Sequence, residues 1–377
     1  MNNSNKKYKM EKETNNKEDN KNEKENKNEE ISNSKSEKNK IENNEENIEM
    51  KEEKTNNEKI ENENEEKEKV IKNKKLLKGK QANELEKLID YKYNDKGELV
   101  NKKTGKKCGK LSQQEYDLVG MYVQNYVENL IIKTFDLDIL YVPNNDKNYE
   151  IRNEEIPQCK ILTTKDFKTN PKCLILIQGT GVVRLGQWAR SVCINENLNL
   201  GTMIPYVDKA IKNNYSVLIM NPNEKKDFKT EKTIEEFSTM EKHSVYVYNN
   251  IIKTNNNIKE IYTVAHSMGG ECTVEILLNN KEDLLNRRIK KIAFTDSVHG
   301  EDYLKLGEEG VKIFREISRN YIGSDKPVGT FVRDYTTSYG GVDCYSSGHT
   351  KHEYTSGTAI DEIFKYFSEE EENENNN

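Results

Sequence analysis

Polar and apolar positions divide this chain sharply. From residue 1 to about residue 70, Asn, Lys, Glu, Asp and Ser fill nearly every position, and Ile31, Ile41, Ile48, Met50 and Ile60 stand alone without a period. Such a stretch cannot bury enough surface to offset chain entropy. Residues 1–80 are therefore expected to be disordered, with folded sequence beginning near Ala82. Farther on, short continuous apolar runs at 173–177, 216–220 and 292–294 mark strands buried on both faces. Helical spacing recurs between and after them, at 204–211, 234–248 and 273–278, and a closing helix is expected at 360–367. Strands alternating with helices imply a mostly parallel sheet covered on both sides, a single α/β domain over residues 81–368, with an acidic disordered tail at 369–377.

The segment ahead of that alternation reads differently. Leu88, Ile89, Tyr91 and Tyr93, then Asn94-Asp95-Lys96-Gly97, then Leu99 and Val100, predict a short hairpin. Ser112 with Glu115 three residues on has the form of a capping box. Behind it Val119, Tyr122, Val123, Tyr126, Val127, Leu130 and Ile131 form one apolar stripe, so this helix is expected to pack on the core. Residues 143–171 are polar and show no assignable period.

Composition changes this picture little. The 33% hydrophobic and 33% charged content is weighted by the amino-terminal stretch, leaving an ordinary globular remainder. A net charge of −6 gives no general attraction for polyphosphate, and direct nucleic-acid binding is not expected. A local cluster, Lys69, Lys72, Lys74, Lys75, Lys78 and Lys80, reads as a solvated linker, or else as a nuclear-import address or a weak phosphate contact. Six scattered cysteines with no C-x-x-C pair suit a reducing compartment. Neither a signal peptide nor a membrane span is evident, so the expected location is nucleus or cytoplasm.

Candidate chemistry gathers around 261–270, IYTVAHSMGG. Four residues of strand character lead into a turn with serine at its apex, and helical spacing follows. In a nucleophile elbow a strained turn lifts the serine hydroxyl above the sheet and demands small neighbours, which Ala265 and Gly269 supply. The first strand runs into Gln178-Gly179-Thr180-Gly181. Backbone N–H groups of this loop, with that of Met268, are the expected oxyanion donors. The base is expected near the carboxyl end at His352, with His349 as rival. Asp296, following the strand at 291–295, is the expected acid, with Asp325 and Asp343 as alternatives. His266, beside the serine, is read as a packing or supporting residue, and Trp188 as a packing anchor. Asn221, at a strand end, reads as a turn former that could reach the pocket. His349-x-x-His352 with Asp343 or Cys344 specifies no metal geometry, and no metal or cofactor is expected.

The run 178–190, QGTGVVRLGQWAR, resembles the signature of the Argonaute-binding (Arb) domain family, which includes the animal cotranscriptional regulators. Asn221-Pro222-Asn223, Ala265-His266-Ser267-x-Gly269-Gly270, Thr295-Asp296-Ser297-Val298-His299 and Lys351-His352-Glu353 look like its later blocks. The resemblance implies an α/β-hydrolase-like fold with Ser267 at the family's nucleophile position. It also implies protein partners, an Argonaute or a chromatin or RNA-processing complex, in small-RNA silencing, heterochromatin or cotranscriptional control. Two functions are carried forward: a serine hydrolase using Ser267, Asp296 and His352 on an ester or acyl group, and an inactive scaffold that binds protein.

Overall fold

The computed structural model describes residue 85 and residues 89–332 and 341–369. The segment expected to be disordered, 1–80, lies outside the described residues, as does the acidic tail beyond Glu369. The hairpin comes first: β1 (Tyr91–Tyr93) pairs antiparallel with β2 (Leu99–Asn101). Its turn is held by Asn94, whose Oδ1 accepts from the N–H of Lys96 and of Glu98 at 3.0 and 2.9 Å. Helix α1 (Gln113–Phe135) opens on the capping box read from the sequence. Ser112 Oγ accepts from Glu115 N, and Glu115 Oε2 accepts from Ser112 N at 2.9 Å. Caps of this kind are worth about 1 kcal/mol, and here the box fixes where a 23-residue helix starts. Its Val119, Tyr122, Val123 and Val127 pack with Leu85, Ile89 and Leu99 into a small satellite core.

The main sheet then begins on its antiparallel edge with β3 (Asp138–Val142) and β4 (Cys159–Thr163). β4 falls inside the polar stretch 143–171, where four apolar or small residues around Lys160 gave too short a pattern to assign. β5 (Lys172–Ile177) follows, then the short helices α2 (Arg190–Asn195) and α3 (Leu198–Gly201), then α4 (Ile204–Lys212) and β6 (Ser216–Ile219). Where one helix was expected over 234–248, a 3-10 turn at Glu235–Phe237 breaks off. Thr239 then caps α5 (Met240–Val247), its hydroxyl accepting from Lys242 N at 3.2 Å. A capping side chain overrode the apolar period there.

The chain continues through β7 (Glu260–His266), α6 (Gly269–Asn279), α7 (Lys281–Leu285), β8 (Ile289–Thr295), α8 (Glu308–Glu316), β9 (Ser318–Ile322), β10 (Asp343–Ser346) and α9 (Thr355–Ser368). The sheet order is β10-β9-β8-β7-β5-β6-β4-β3. From β10 to β6 all neighbours are parallel, and β4 and β3 join antiparallel. This is the mostly parallel sheet expected from the alternation, and it is α/β-hydrolase-like as the family resemblance implied. Strand β5 shows why its apolar run is continuous: Cys173, Ile175 and Ile177 enter the core on one face, while Leu174 and Leu176 enter the core on the other. Trp188 is buried in the second core, edge-on to Tyr206 with ring centroids 5.2 Å apart. At the far end Glu369 pairs with Arg319 at 2.6 Å.

Candidate active site

Parallel strands deliver their carboxyl ends to one edge, and the chain ends three neighbouring strands there with the loops that matter. β7 stops at His266, and Ser267 takes a left-handed backbone with φ 51°. Holding a non-glycine residue there costs roughly 1–3 kcal/mol. Three backbone hydrogen bonds offset it: Ser267 N donates to Thr295 O at 3.2 Å, and Ser267 O accepts from Gly270 N and Val298 N, each at 3.0 Å. Gly269 is required by proximity, since a Cβ there would stand 2.7 Å from Ile177 O. The turn is thus the strand, sharp bend and helix expected of an elbow, with Met268 capping α6.

The loop after β5 lies directly against this turn. A Cβ on Gly179 would sit 2.9 Å from Ser267 Cβ and 3.2 Å from His266 Cδ2, so only glycine allows the approach. Asn223 clamps the loop, its amide donating to Gly179 O at 2.7 Å and to Val183 O at 3.2 Å. Gly181 has φ 117°, and Arg184 donates to its carbonyl. The N–H groups of Thr180 and Met268 donate to no other group among the described residues. Asn221 is buried, turning the chain through its carbonyl and accepting from Gln178 Nε2 at 3.4 Å.

The residues expected as acid and base meet on the adjoining strand end. Asp296 follows β8 with φ 45°, and its Oδ2 accepts from His352 Nδ1 at 2.7 Å. His352 opens a short 3-10 turn before α9, and its side chain is about half exposed. The Asp296 hydrogen bond and charge raise the imidazole above its usual range despite partial burial. Burial pushes the Asp296 carboxyl up, but the His352 hydrogen bond and charge, with the Gly323 N–H, outweigh it and hold the group below the ordinary carboxylate range. An ionised acceptor makes His352 Nδ1 the protonated nitrogen and leaves Nε2 with the free lone pair. No hydrogen bond joins Ser267 Oγ to His352 among the described residues. What links them is His266: bonded to Ser267 along the chain, it packs against the His352 ring at a tilt of 35°, with centroids 4.6 Å apart.

The other sequence candidates lie elsewhere. His349 stacks on Tyr354 at 4.0 Å and accepts from Lys351 N. Asp325 is exposed in the loop after β9, and Asp343 opens β10 at the opposite end from Asp296's strand terminus. His299 stacks on Phe294, and His243 is fully buried with its ring nitrogen accepting from Asn221 N at 3.2 Å. Three contributors escaped sequence reading. Asn223 stood in the block 221–223 without a role assigned to it, while Gly323 and the Thr295–Ser356 hydroxyl pair carry no local signal.

Comparison with known proteins places these residues in context. A family model described as the Arb2 domain matches residues 82–328, which includes Ser267 and Asp296 and stops short of His352. "Cotranscriptional regulator ARB2A homolog" of Dictyostelium discoideum is 33% identical over 315 residues, covering 74% of this chain and 78% of its own. "Cotranscriptional regulator ARB2A" of Homo sapiens is 29% identical over 345 residues, covering 75% and 80%. Among solved structures, a histone deacetylase from Saccharomyces cerevisiae aligns at TM-score 0.41 with 10% identity, covering 68% of this chain and 96% of its own. Est1E from Butyrivibrio proteoclasticus, bound to ferulic acid, aligns at 0.36 with 12% identity, covering 61% and 98%.

Proposed function

The chain belongs to the Arb2 domain family, and we propose that in it the family's hydrolase-like fold carries a serine acyl-transfer site built from Ser267, His352 and Asp296. The observation that carries this reading is the 2.7 Å Asp296–His352 hydrogen bond, at the sheet edge where Ser267 occupies a left-handed elbow. A mostly buried carboxylate paired with a half-exposed imidazole beside a strained serine calls for an explanation, and strain of that kind needs a reason to persist.

The chemistry follows from the parts. Ser267 Oγ attacks an ester or acyl carbonyl, and its proton passes to His352 Nε2 as the new C–O bond forms. Asp296 holds the imidazole in the tautomer that can accept, and stabilises the imidazolium that results. Negative charge moves to the carbonyl oxygen, where Met268 N–H and the Gly179–Thr180–Gly181 backbone would receive it. Such donors are worth about 3 kcal/mol each. Collapse breaks the bond to the leaving group, which takes the proton back from His352, and water then repeats the sequence on the acyl-serine. The test is labelling of purified protein with a fluorophosphonate probe, followed by peptide mapping. Label on Ser267, lost in Ser267→Ala, is expected; an unlabelled Ser267 in folded protein sinks the proposal.

A second function sits beside it, favoured by the names of the relatives. Proteins called cotranscriptional regulators work among protein partners, and by that likeness this chain takes a protein partner in the nucleus. An Argonaute is the narrower candidate, and family resemblance alone motivates it. Chromatin fractionation and pull-down with Ser267→Ala separate the two functions. Partner recovery unchanged by the substitution makes binding independent of chemistry, and absence from every nuclear fraction rejects the regulatory role.

A further inference from the structure

His352 has a problem of position. It sits on a three-residue turn with about half of its side chain exposed, and the single hydrogen bond to Asp296 leaves the ring free to rock about the Nδ1···Oδ2 axis. The Nε2 lone pair points away from that axis, so rocking of the ring turns it away from a serine hydroxyl. A second constraint, normal to the ring plane, is required if the base is to be aimed.

His266 meets that requirement. Its ring lies over that of His352, centroids 4.6 Å apart and planes inclined by 35°. The ring is itself fixed from behind, Nδ1 donating to Thr295 O at 2.9 Å with Thr295 Oγ1 at 3.2 Å. Thr295 Oγ1 is in turn 2.7 Å from Ser356 Oγ in the first turn of α9, the helix that follows His352. The other side of the ring is closed by Gly179, where a side chain would press into both His266 and Ser267. His266 therefore touches the oxyanion loop, the nucleophile's own backbone and the base.

Resting on the acyl-transfer reading above, we propose that His266 is a positioning residue, a flat platform locked by Thr295 and Ser356 that fixes the plane of His352. The Asp296 hydrogen bond sets the tautomer and one axis; the platform sets the other. The titratable groups acting on His352 are Asp296 from β8, Glu353 from its own turn and His266 from β7. Burial holds His266 neutral, its value pushed down to about 4, so near neutral pH it presents a ring without a competing charge.

Two substitutions separate the ring from its anchor. His266→Phe keeps a flat ring and loses the donor to Thr295, while His266→Asn keeps a donor and loses the ring. In nitrogen-15 histidine spectra of the full chain, the His352 Nδ1–H resonance, protected by Asp296, is expected to survive in His266→Phe and to broaden by exchange in His266→Asn. Fluorophosphonate labelling of Ser267 should fall about tenfold or more in the Asn variant, the loss a small misplacement brings, and within about threefold in the Phe variant. Thermal melts confirm that each is folded. An Asn variant with an unchanged His352 resonance overturns the platform, whatever its melting temperature; so does a Phe variant that loses the resonance as fully as Asn. The spectra need no substrate, so an unlabelled parent protein with a protected His352 would reject the hydrolase and leave the platform standing.

Discussion

Two carboxylates near the same edge of the sheet, Asp296 and Asp227, each hold a nitrogen at hydrogen-bond distance, and they are built for opposite purposes. Asp227 is fully buried and saturated. Its Oδ2 takes Arg152 and Gln158 N, each at 2.8 Å, while its Oδ1 takes Lys229 N at 2.9 Å and Thr230 N at 2.7 Å. Despite burial, those backbone bonds and the guanidinium pull it down to about 2. Arginine cannot release a proton, so nothing in this cluster can change state. Asp296 has instead a titratable partner, one long bond from Gly323 N at 3.4 Å, and access to solvent through His352. A saturated pair pins loops; on the acyl-transfer proposal, the unsaturated pair with its imidazole handles protons.

Breaking each pair should therefore fail differently. Asp296→Asn is expected to cut fluorophosphonate labelling of Ser267 by about 10⁴-fold, as when a triad carboxylate is lost and the wrong imidazole tautomer results. Its urea midpoint should move little, since the imidazole remains partly solvated. Asp227→Ala reverses the pattern. Arg152 would keep only its exposed partner Glu154, and three N–H groups would lose their acceptor, a loss of about 3–5 kcal/mol by urea unfolding. Labelling per folded molecule should stay near that of the parent. Were Asp227→Ala to abolish labelling in folded protein, or Asp296→Asn to unfold it, the division between the two carboxylates would not hold.

That division was only half legible in the sequence. The elbow declares itself because strand apolarity, small neighbours and a glycine pair stand together, whereas Asp296 follows an apolar run directly but shared the acid's place with Asp325 and Asp343. β5 and β7 were readable for the same reason: burial on both faces leaves no polar position to blur the period. The strands toward the β10 edge are harder. β9 reads Ser-Arg-Asn-Tyr-Ile with Asn320 fully buried, and β10 reads Asp-Cys-Tyr-Ser, so neither shows the run that marks a central strand. Asp227 gave no signal of a buried ion pair, because Gln158 and Arg152 lie 69 and 75 positions away. The choice of His352 over His349 also needed coordinates, since three residues in a loop turn one ring toward Asp296 and the other onto Tyr354.

Acid offers a smaller and sharper contrast, because three histidines respond in opposite senses. Burial pushes His243 down to about 3 and, with the neighbouring His352, His266 down to about 4. A depressed folded value means that the unfolded chain takes the proton first, so their contribution is whole above about pH 6.5 and is lost as pH falls through the folded values. At about pH 5 each such group should cost roughly 2 kcal/mol. His352 runs the other way. Its raised value stabilises the fold below about pH 6.5 and that contribution is lost as pH rises through the folded value, while the lowered Asp296 holds its own until acid titrates it. Urea unfolding at a series of pH values should show net loss on acidification, and His243→Gln should remove about half of it. A stability curve flat from neutral pH to about pH 5 would contradict neutral burial of both rings.

The smallest effect tests whether His352 is the group whose proton governs the chemistry. A base must be neutral to accept from serine, so labelling should rise with pH through the His352 value, at a midpoint above 6.5 because Asp296 raises it. Glu353 contributes the weakest of the raising influences, by charge across partly exposed surface. Glu353→Gln should therefore lower the midpoint slightly while leaving the plateau rate alone, and added salt should shrink the difference, since exposed charges are screened beyond about 8–10 Å. Asp296→Asn removes the largest influence, so its midpoint should fall further than that of Glu353→Gln, on a plateau already much reduced. A midpoint that ignores both substitutions would assign the controlling proton to a different group, and Ser267 would then be reacting without His352.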